Sequence, residues 1–175
     1  MVIRLWIVFL GNLKKKESNL MNPKFKQYFM RVAEETAQLS HAVRARVGAI
    51  IVKNGRIISI GYNGMPSGWE NECEDWVPNE GVTFDVHPSD KKVYGSYKTK
   101  PEVLHAETNA IAKLAKSTES GEGATLVTTH MPCIDCAKLI HQSGIVRVAY
   151  REDYKASRGS GKEFLEKCAI ELEQI

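Results

Sequence analysis

From Asn22 to about Ser40, apolar residues recur at helical spacing. Phe25, Tyr28, Phe29, Val32, Ala33 and Ala37 fall on one side, and Pro23 sits in the first turn behind Asn22 as a cap. The pattern then changes period. Val47–Val52 is a β-branched run that reads as a buried strand. Asn54-Gly55 is a two-residue hairpin signal, and Arg56–Tyr62 returns as the partner strand. Regular pattern resumes at Val103, with a helix over about His105–Lys116, a strand over Ala124–Thr129, a helix over Cys133–Ser143 ended by Gly144, and a strand over Val146–Tyr150. A helix near Lys162–Lys167 and a last strand, Ala169–Leu172, close the chain. Strands alternating with helices in this half predict crossover connections and parallel pairing. The simplest architecture is a three-layer α/β/α fold, with a mixed central sheet of about five strands and helices on both faces.

Two stretches stand outside this pattern. Residues 63–101 are rich in Gly, Pro, Asn, Asp and Glu, with scattered aromatics at Trp69, Trp76, Phe84, Tyr94 and Tyr97. A loop of that length inside one domain is usually functional, so we expect it to be partly helical and to cover a site or a subunit interface. Val2–Leu10 is apolar but interrupted by Arg4 and too short to span a bilayer. Its charges, Lys14–Lys16, follow the apolar run, whereas a signal peptide carries them in front. Residues 1–20 therefore read as an extension ahead of a domain over 21–175: either dispensable before a second start at Met21, or an arm packing on a neighbouring subunit.

Composition narrows the function classes only a little. The chain has 175 residues, 43% hydrophobic and 26% charged, which fits one domain with a full core. A net charge of +3 is too small to argue for a DNA-binding protein and is compatible with small anions such as nucleotides. The four cysteines, Cys73, Cys133, Cys136 and Cys168, are too sparse for a secreted disulfide scaffold. They point to a reducing, cytoplasmic setting, where the Cys133–Cys136 pair reads as metal ligands or a redox dithiol.

The chemistry concentrates in His105-Ala106-Glu107 and Pro132-Cys133-Ile134-Asp135-Cys136, each opening a predicted helix. Helix N-termini carry positive partial charge, which favours thiolates, and thiolates are what zinc requires. His105, Cys133 and Cys136 make a three-ligand zinc set whose open fourth position marks a catalytic site. Glu107, two residues from His105, reaches a zinc-activated water without binding the metal and serves as general acid and base. The H-x-E and P-C-x-x-C arrangement is the known signature of nucleobase deaminases. Other readings of the pair remain: a closed structural zinc site with Cys73 and a histidine, or a thioredoxin-like dithiol, which Pro132 fits poorly. His130, His141 and Cys168 read first as structural residues, with His130 a possible pocket wall, and Cys73 with His87 is a weak second zinc pair.

The chain resembles the deoxycytidylate (dCMP) deaminases, including those of tailed bacteriophages. The matching pieces are Arg46–Val52, Gly61-Tyr62-Asn63-Gly64-Met65-Pro66-Ser67-Gly68, Val103–Ile111 and Pro132–Ile140, in the family's order; residues 1–20 show no match. The resemblance implies a cytidine-deaminase-like fold and hydrolysis of dCMP to dUMP and ammonia, which supplies the thymidylate precursor. It implies that Asn63 binds the substrate sugar, although a turn asparagine looks the same. Tyr154 would contact the phosphate, and Ala106 with Thr128–His130 would read the base through backbone groups. Arg44, Arg46, Lys98, Lys100 and Arg151 are the cationic candidates for the phosphate. The resemblance further implies a hexamer, activated by dCTP with Mg²⁺ on its triphosphate and inhibited by dTTP. Gly61, Tyr62, Gly64 and Gly68 would lie in the effector loop, though tight turns would need the same glycines.

Two competing classes make different predictions. A tRNA or DNA base deaminase would need a basic groove and stacking aromatics, which the charge does not suggest. A non-catalytic zinc module would leave Glu107 an ordinary helix residue. The expected partners are small nucleotides, with no membrane and no nucleic acid.

Overall fold

The computed structural model describes residues 23–78, 95–153 and 161–175. Helix α1 (Pro23–Ala37) buries Phe29, Met30, Ala33 and Ala37, while Phe25 and Tyr28 stay half-exposed. Strands β1 (Gly48–Lys53) and β2 (Arg56–Tyr62) form the predicted hairpin. Its turn residues Asn54 and Gly55 both have positive φ, 51° and 76°, as a type I′ turn requires. After the insertion come helix α2 (Ala106–Leu114), strand β5 (Thr125–His130), helix α3 (Ile134–Gln142), strand β6 (Arg147–Glu152), helix α4 (Gly161–Lys167) and strand β7 (Glu171–Gln174).

The main sheet runs β2-β1-β5-β6-β7. Its first three strands pair antiparallel, and the last three pair parallel through α3 and α4 as crossovers. One core layer joins Ile51, Leu126 and Val148 of the sheet to Ala106, Ala110, Cys136, Ala137, Ile140 and Leu165 of α2, α3 and α4. The opposite face joins Ile50, Val52, Val127 and Ala149 to Phe29, Met30 and Ala33 of α1. This is the expected three-layer arrangement. The last strand starts two residues later than its sequence pattern suggests, because Ala169 adopts a left-handed backbone, φ 56°, and turns the chain first.

The insertion departs from expectation. In its described part there is no helix; instead β3 (Glu74–Pro78) and β4 (Gly95–Thr99) pair antiparallel as a separate ribbon. Trp76 faces Tyr97 across it, and the Trp76 ring lies over Gly95, where a Cβ would come within 2.4 Å. The two ends of the insertion meet in a single β-bridge, with Gly64 N donating to Leu104 O at 3.1 Å and Leu104 N to Gly64 O at 2.9 Å. No described helix is long and apolar enough to cross a membrane.

Candidate active site

His105 and Cys133 each occupy the N-cap position of a helix, with extended backbone (φ −72° and −71°) and no side-chain cap bond. N-caps are normally short polar residues that satisfy the first free N–H groups. Here both side chains are released for other work, and both positive helix ends face one place. The glycines explain how the helices come so near. At Gly61 on β2 a Cβ would lie 2.2 Å from Ala106 O and 2.4 Å from Ala110 N, so α2 rests directly on the strand backbone. At Gly161, the start of α4, it would lie 2.0 Å from Pro132 O and 2.8 Å from Cys133 O, so α4 buttresses the cysteine loop.

The result is one cluster. His105 Nδ1 lies 3.5 Å from Cys133 Sγ and 3.3 Å from Cys136 Sγ, and the three possible ligand atoms all fall within 4.8 Å of one another. Among the described residues it is the one such group able to hold a metal ion. The electrostatics fit that use. The hydrogen bond from the Cys136 thiol, helped by His105, holds Cys133 down to about 4 against the opposing effect of burial. Cys136 is pushed up by giving that bond and by burial. The bond with Cys133 raises His105, again against burial. Three ligand atoms thus share one negative charge, an arrangement that a divalent cation relieves by replacing the protons between them. Glu107, in the first turn of α2, is 4% exposed; burial pushes its carboxyl up, and Oε2 accepts a contact from Cys136 Sγ at 3.6 Å.

A cavity of about 300 Å³ opens on this cluster, at the lower end of the size range of small-molecule sites. His105, Ala106, Glu107 and Cys133 line it, together with Asn63, Val103, His130 and Met131. Asn63 holds the neighbouring loop: its Oδ1 accepts from Val47 N at 2.8 Å and its Nδ2 donates to Ala45 O at 2.9 Å. That leaves one lone pair and one N–H for a ligand. His130 reaches Thr129 Oγ1 at 3.0 Å and Glu152 at 3.5 Å, and also faces the cavity.

Other expected residues fall elsewhere. Thr128 is fully buried within β5, its side chain does not line the cavity, and its Oγ1 has no hydrogen-bond partner among the described residues. At Gly61 the backbone of α2 fills the space that a side chain would take. The Tyr62 ring lies under the Lys113 ammonium at 5.0 Å, Gly64 makes the bridge to Leu104, and Gly68 turns the chain at φ 91°. Cys73 is buried with Ala42, Val103 and Met65, where desolvation pushes its thiol up. Tyr154 and His87 lie outside the described residues. The residues that sequence reasoning missed are Glu74 and Thr99, which reach the cavity from the ribbon. Nothing in their local pattern distinguishes them.

Comparison with known proteins follows the same lines. Residues 23–152 match the model of the cytidine and deoxycytidylate deaminase zinc-binding region. Deoxycytidylate deaminase of Enterobacteria phage T4 is 36% identical over 166 residues, covering 82% of this chain and 86% of that one. The human deoxycytidylate deaminase is 39% identical over 142 residues, covering 80% and 70%. A dCMP deaminase from cyanophage S-TIM5, solved in complex with dCMP and dUMP, superposes with a TM-score of 0.72 at 40% identity over 88% of this chain and 98% of that one. With its motifs, fold and zinc-competent cluster in agreement, the chain belongs to the cytidine and deoxycytidylate deaminase family.

Proposed function

We propose that this protein hydrolyses dCMP to dUMP and ammonia in the cytoplasm, feeding thymidylate synthesis. The observation that carries the reading is the convergence of His105, Cys133 and Cys136 beside the buried carboxyl of Glu107 in a nucleotide-sized cavity. The names and 36–40% identities of the phage relatives support the choice of substrate. His105, Cys133 and Cys136 would hold zinc, which would supply a Lewis acid able to acidify water at neutral pH. Glu107 takes one proton of the attacking water and delivers it to the ring nitrogen beside the reacting carbon; it then takes the second proton from the hydroxyl now on that carbon, which becomes the carbonyl, and delivers it to the leaving amine. Burial suits it to this, because a raised carboxyl pKa brings the group nearer the operating pH. The Ala106 N–H, at the first turn of α2, faces the base, Asn63 takes the sugar with its remaining donor and acceptor, and Tyr154 contacts the phosphate.

Control by nucleotide triphosphates belongs to the same reading. The loop carrying Tyr62, Gly64 and Gly68 borders an open cavity lined by Met65, Trp69, Glu70, Glu72, Lys100 and Glu102. Three carboxylates against one ammonium favour a triphosphate only when its charge is neutralised, in keeping with Mg²⁺ on dCTP. dCTP activates and dTTP inhibits a hexamer in this account, each by binding active and inactive assemblies unequally.

A spectrophotometric assay of dCMP, dCTP, cytidine and a cytosine-containing oligonucleotide, with and without dCTP or dTTP, tests both parts. dCMP is expected to be the preferred substrate. Glu107→Gln should lower its turnover about 10²- to 10⁴-fold with zinc retained. Preference for the oligonucleotide, or unchanged turnover in that variant, overturns the reading.

A further inference from the structure

Asn63 closes the ladder between β1 and β2, and it does so irregularly. Beyond the paired Gly48 and Tyr62, Val47 and Asn63 stand opposite each other, and Asn63 N donates to Val47 O at 3.2 Å. In a regular antiparallel ladder such a pair exchanges both bonds, so the Asn63 carbonyl would accept from Val47 N. Here the side chain has taken that place, with Oδ1 accepting from Val47 N at 2.8 Å. The displaced carbonyl is caught elsewhere: Ser40 Oγ donates to Asn63 O at 2.7 Å. Ser40 is 3% exposed, and its Oγ also accepts from Ala42 N at 3.2 Å, while its single hydrogen goes to Asn63. The place of Ser40 is set by α1. A Cβ at Gly48 would lie 2.1 Å from Ala33 O and 2.5 Å from Ala37 N, so the helix backbone rests on β1. Ser40 follows just past the helix end, with its N donating to Ala37 O at 3.0 Å.

We propose that Ser40 is a positioning residue, which holds the Asn63 carboxamide toward the substrate sugar by keeping the Asn63 carbonyl out of the ladder. The proposal rests on the nucleotide reading above. Two acceptors of Asn63, the main-chain O and Oδ1, compete for one donor, Val47 N. Without the Ser40 hydroxyl the carbonyl is left unpaired, at a cost comparable to a lost hydrogen bond. It regains a partner by turning to Val47 N, which drives Oδ1 off and swings the carboxamide from its place beside Ala45 O and the cavity. With Ser40 in place the carboxamide is fixed at both ends, Oδ1 by Val47 N and Nδ2 by Ala45 O. Its remaining lone pair and N–H then point in one direction. The deoxyribose of dCMP has one free hydroxyl, on C3′, able to donate and accept at once, and that group matches the remaining pair. Ser40 itself does not line the cavity, so its effect on the substrate passes through Asn63.

The test compares dCMP with 2′,3′-dideoxycytidine 5′-monophosphate, which lacks that hydroxyl. The proteins are the wild type, Ser40→Ala, Ser40→Thr, Ser40→Cys, Asn63→Ala and the Ser40→Ala/Asn63→Ala double variant, with zinc content and a melting curve as checks of folding. Ser40→Ala should raise KM for dCMP about 10-fold, with kcat changed less than about twofold, because a misdirected carboxamide weakens binding without touching the reacting carbon. KM for the dideoxy compound should stay as in the wild type, so the preference for dCMP shrinks by the same factor. Ser40→Thr, which keeps the hydroxyl, should recover part of the loss. Ser40→Cys, a weaker donor in nearly the same space, should fall between wild type and Ser40→Ala, so the outcome does not hang on one variant. In the double variant, Ser40→Ala should add nothing to the effect of Asn63→Ala. Equal loss on both substrates, or additive effects in the double variant, overturns the proposal, since either shows Ser40 acting as a general prop of the loop. A folded Ser40→Ala with the wild-type KM overturns it too. A wild type that turns over neither substrate defeats the nucleotide reading itself, which is a different result.

Discussion

The part of the cavity lined by His105, Ala106, Glu107 and Cys133 and the part lined by Arg44, Glu74 and Thr99 are held by different means. In the first, backbone rests on backbone. Gly61 admits α2 to the hairpin and Gly161 admits α4 to the cysteine loop at distances no side chain would allow, and the surrounding positions are almost wholly buried. In the second, exposed or half-exposed residues are joined by a few side-chain hydrogen bonds between a loop and a two-stranded ribbon. Bond-making chemistry needs groups held to about half an ångström, and close packing supplies that. The loop and ribbon, joined by hydrogen bonds at a wet surface, are held with more play.

Metal removal should show the contrast most strongly. A chelator is expected to abolish turnover and to lower the melting temperature, with both restored by Zn²⁺. At a zinc concentration a thousandfold above Kd the lost stabilisation is about 4 kcal/mol. Hydrogen exchange should quicken at the starts of α2 and α3 and stay unchanged in β3–β4. Uniform loosening would mean that the two parts are one unit.

Gly61→Ala comes next. Its Cβ meets main-chain atoms of α2, which cannot swing aside as a side chain can, so urea unfolding should show a loss of about 1–3 kcal/mol. kcat should fall as well, because α2 carries Glu107. Glu74→Gln, in contrast, should leave the unfolding midpoint within about 0.5 kcal/mol of wild type, as expected for a surface change. Equal destabilisation by the two would break the distinction drawn above.

The smallest effect is of opposite sign. Thr128→Val keeps the shape and removes a buried hydroxyl that has no partner among the described residues, so stability should rise by up to about 1 kcal/mol. KM for dCMP should not move, since the side chain does not reach the cavity. A raised KM would return Thr128 to the binding surface.

What was legible in the sequence follows the same division. The hairpin at Asn54-Gly55, the alternation after Val103 and the His105/Cys133/Cys136 set are local patterns. Each is fixed by a turn's dihedral angles, a helix's period or a metal's ligand chemistry. The β3–β4 ribbon was not legible, because it pairs Trp76 with Tyr97 across the insertion and neither strand has a buried face to impose alternation. The closeness of α2 to Gly61 was not legible, since a missing Cβ serves a helix or a phosphate equally well and only the tertiary neighbour tells them apart. That the Thr128 side chain belongs to the core was equally hidden, because a polar residue in a strand buried on both faces leaves no alternation to mark it. The cations could not be ranked at all, since burial and pairing are properties of the fold.

The bridge between Gly64 and Leu104 has a consequence for how such proteins diverge. It pins together the two ends of the whole excursion that carries β3 and β4, and Asn63 and His105 sit just outside it, one on each side. Changing the length of chain beyond a closed neck costs little, about 0.6 kcal/mol for each doubling. Descendants can therefore lengthen, trim or exchange that excursion while both flanking residues stay where they are. The zinc-competent cluster is inherited, and the excursion beyond the neck is free to be replaced.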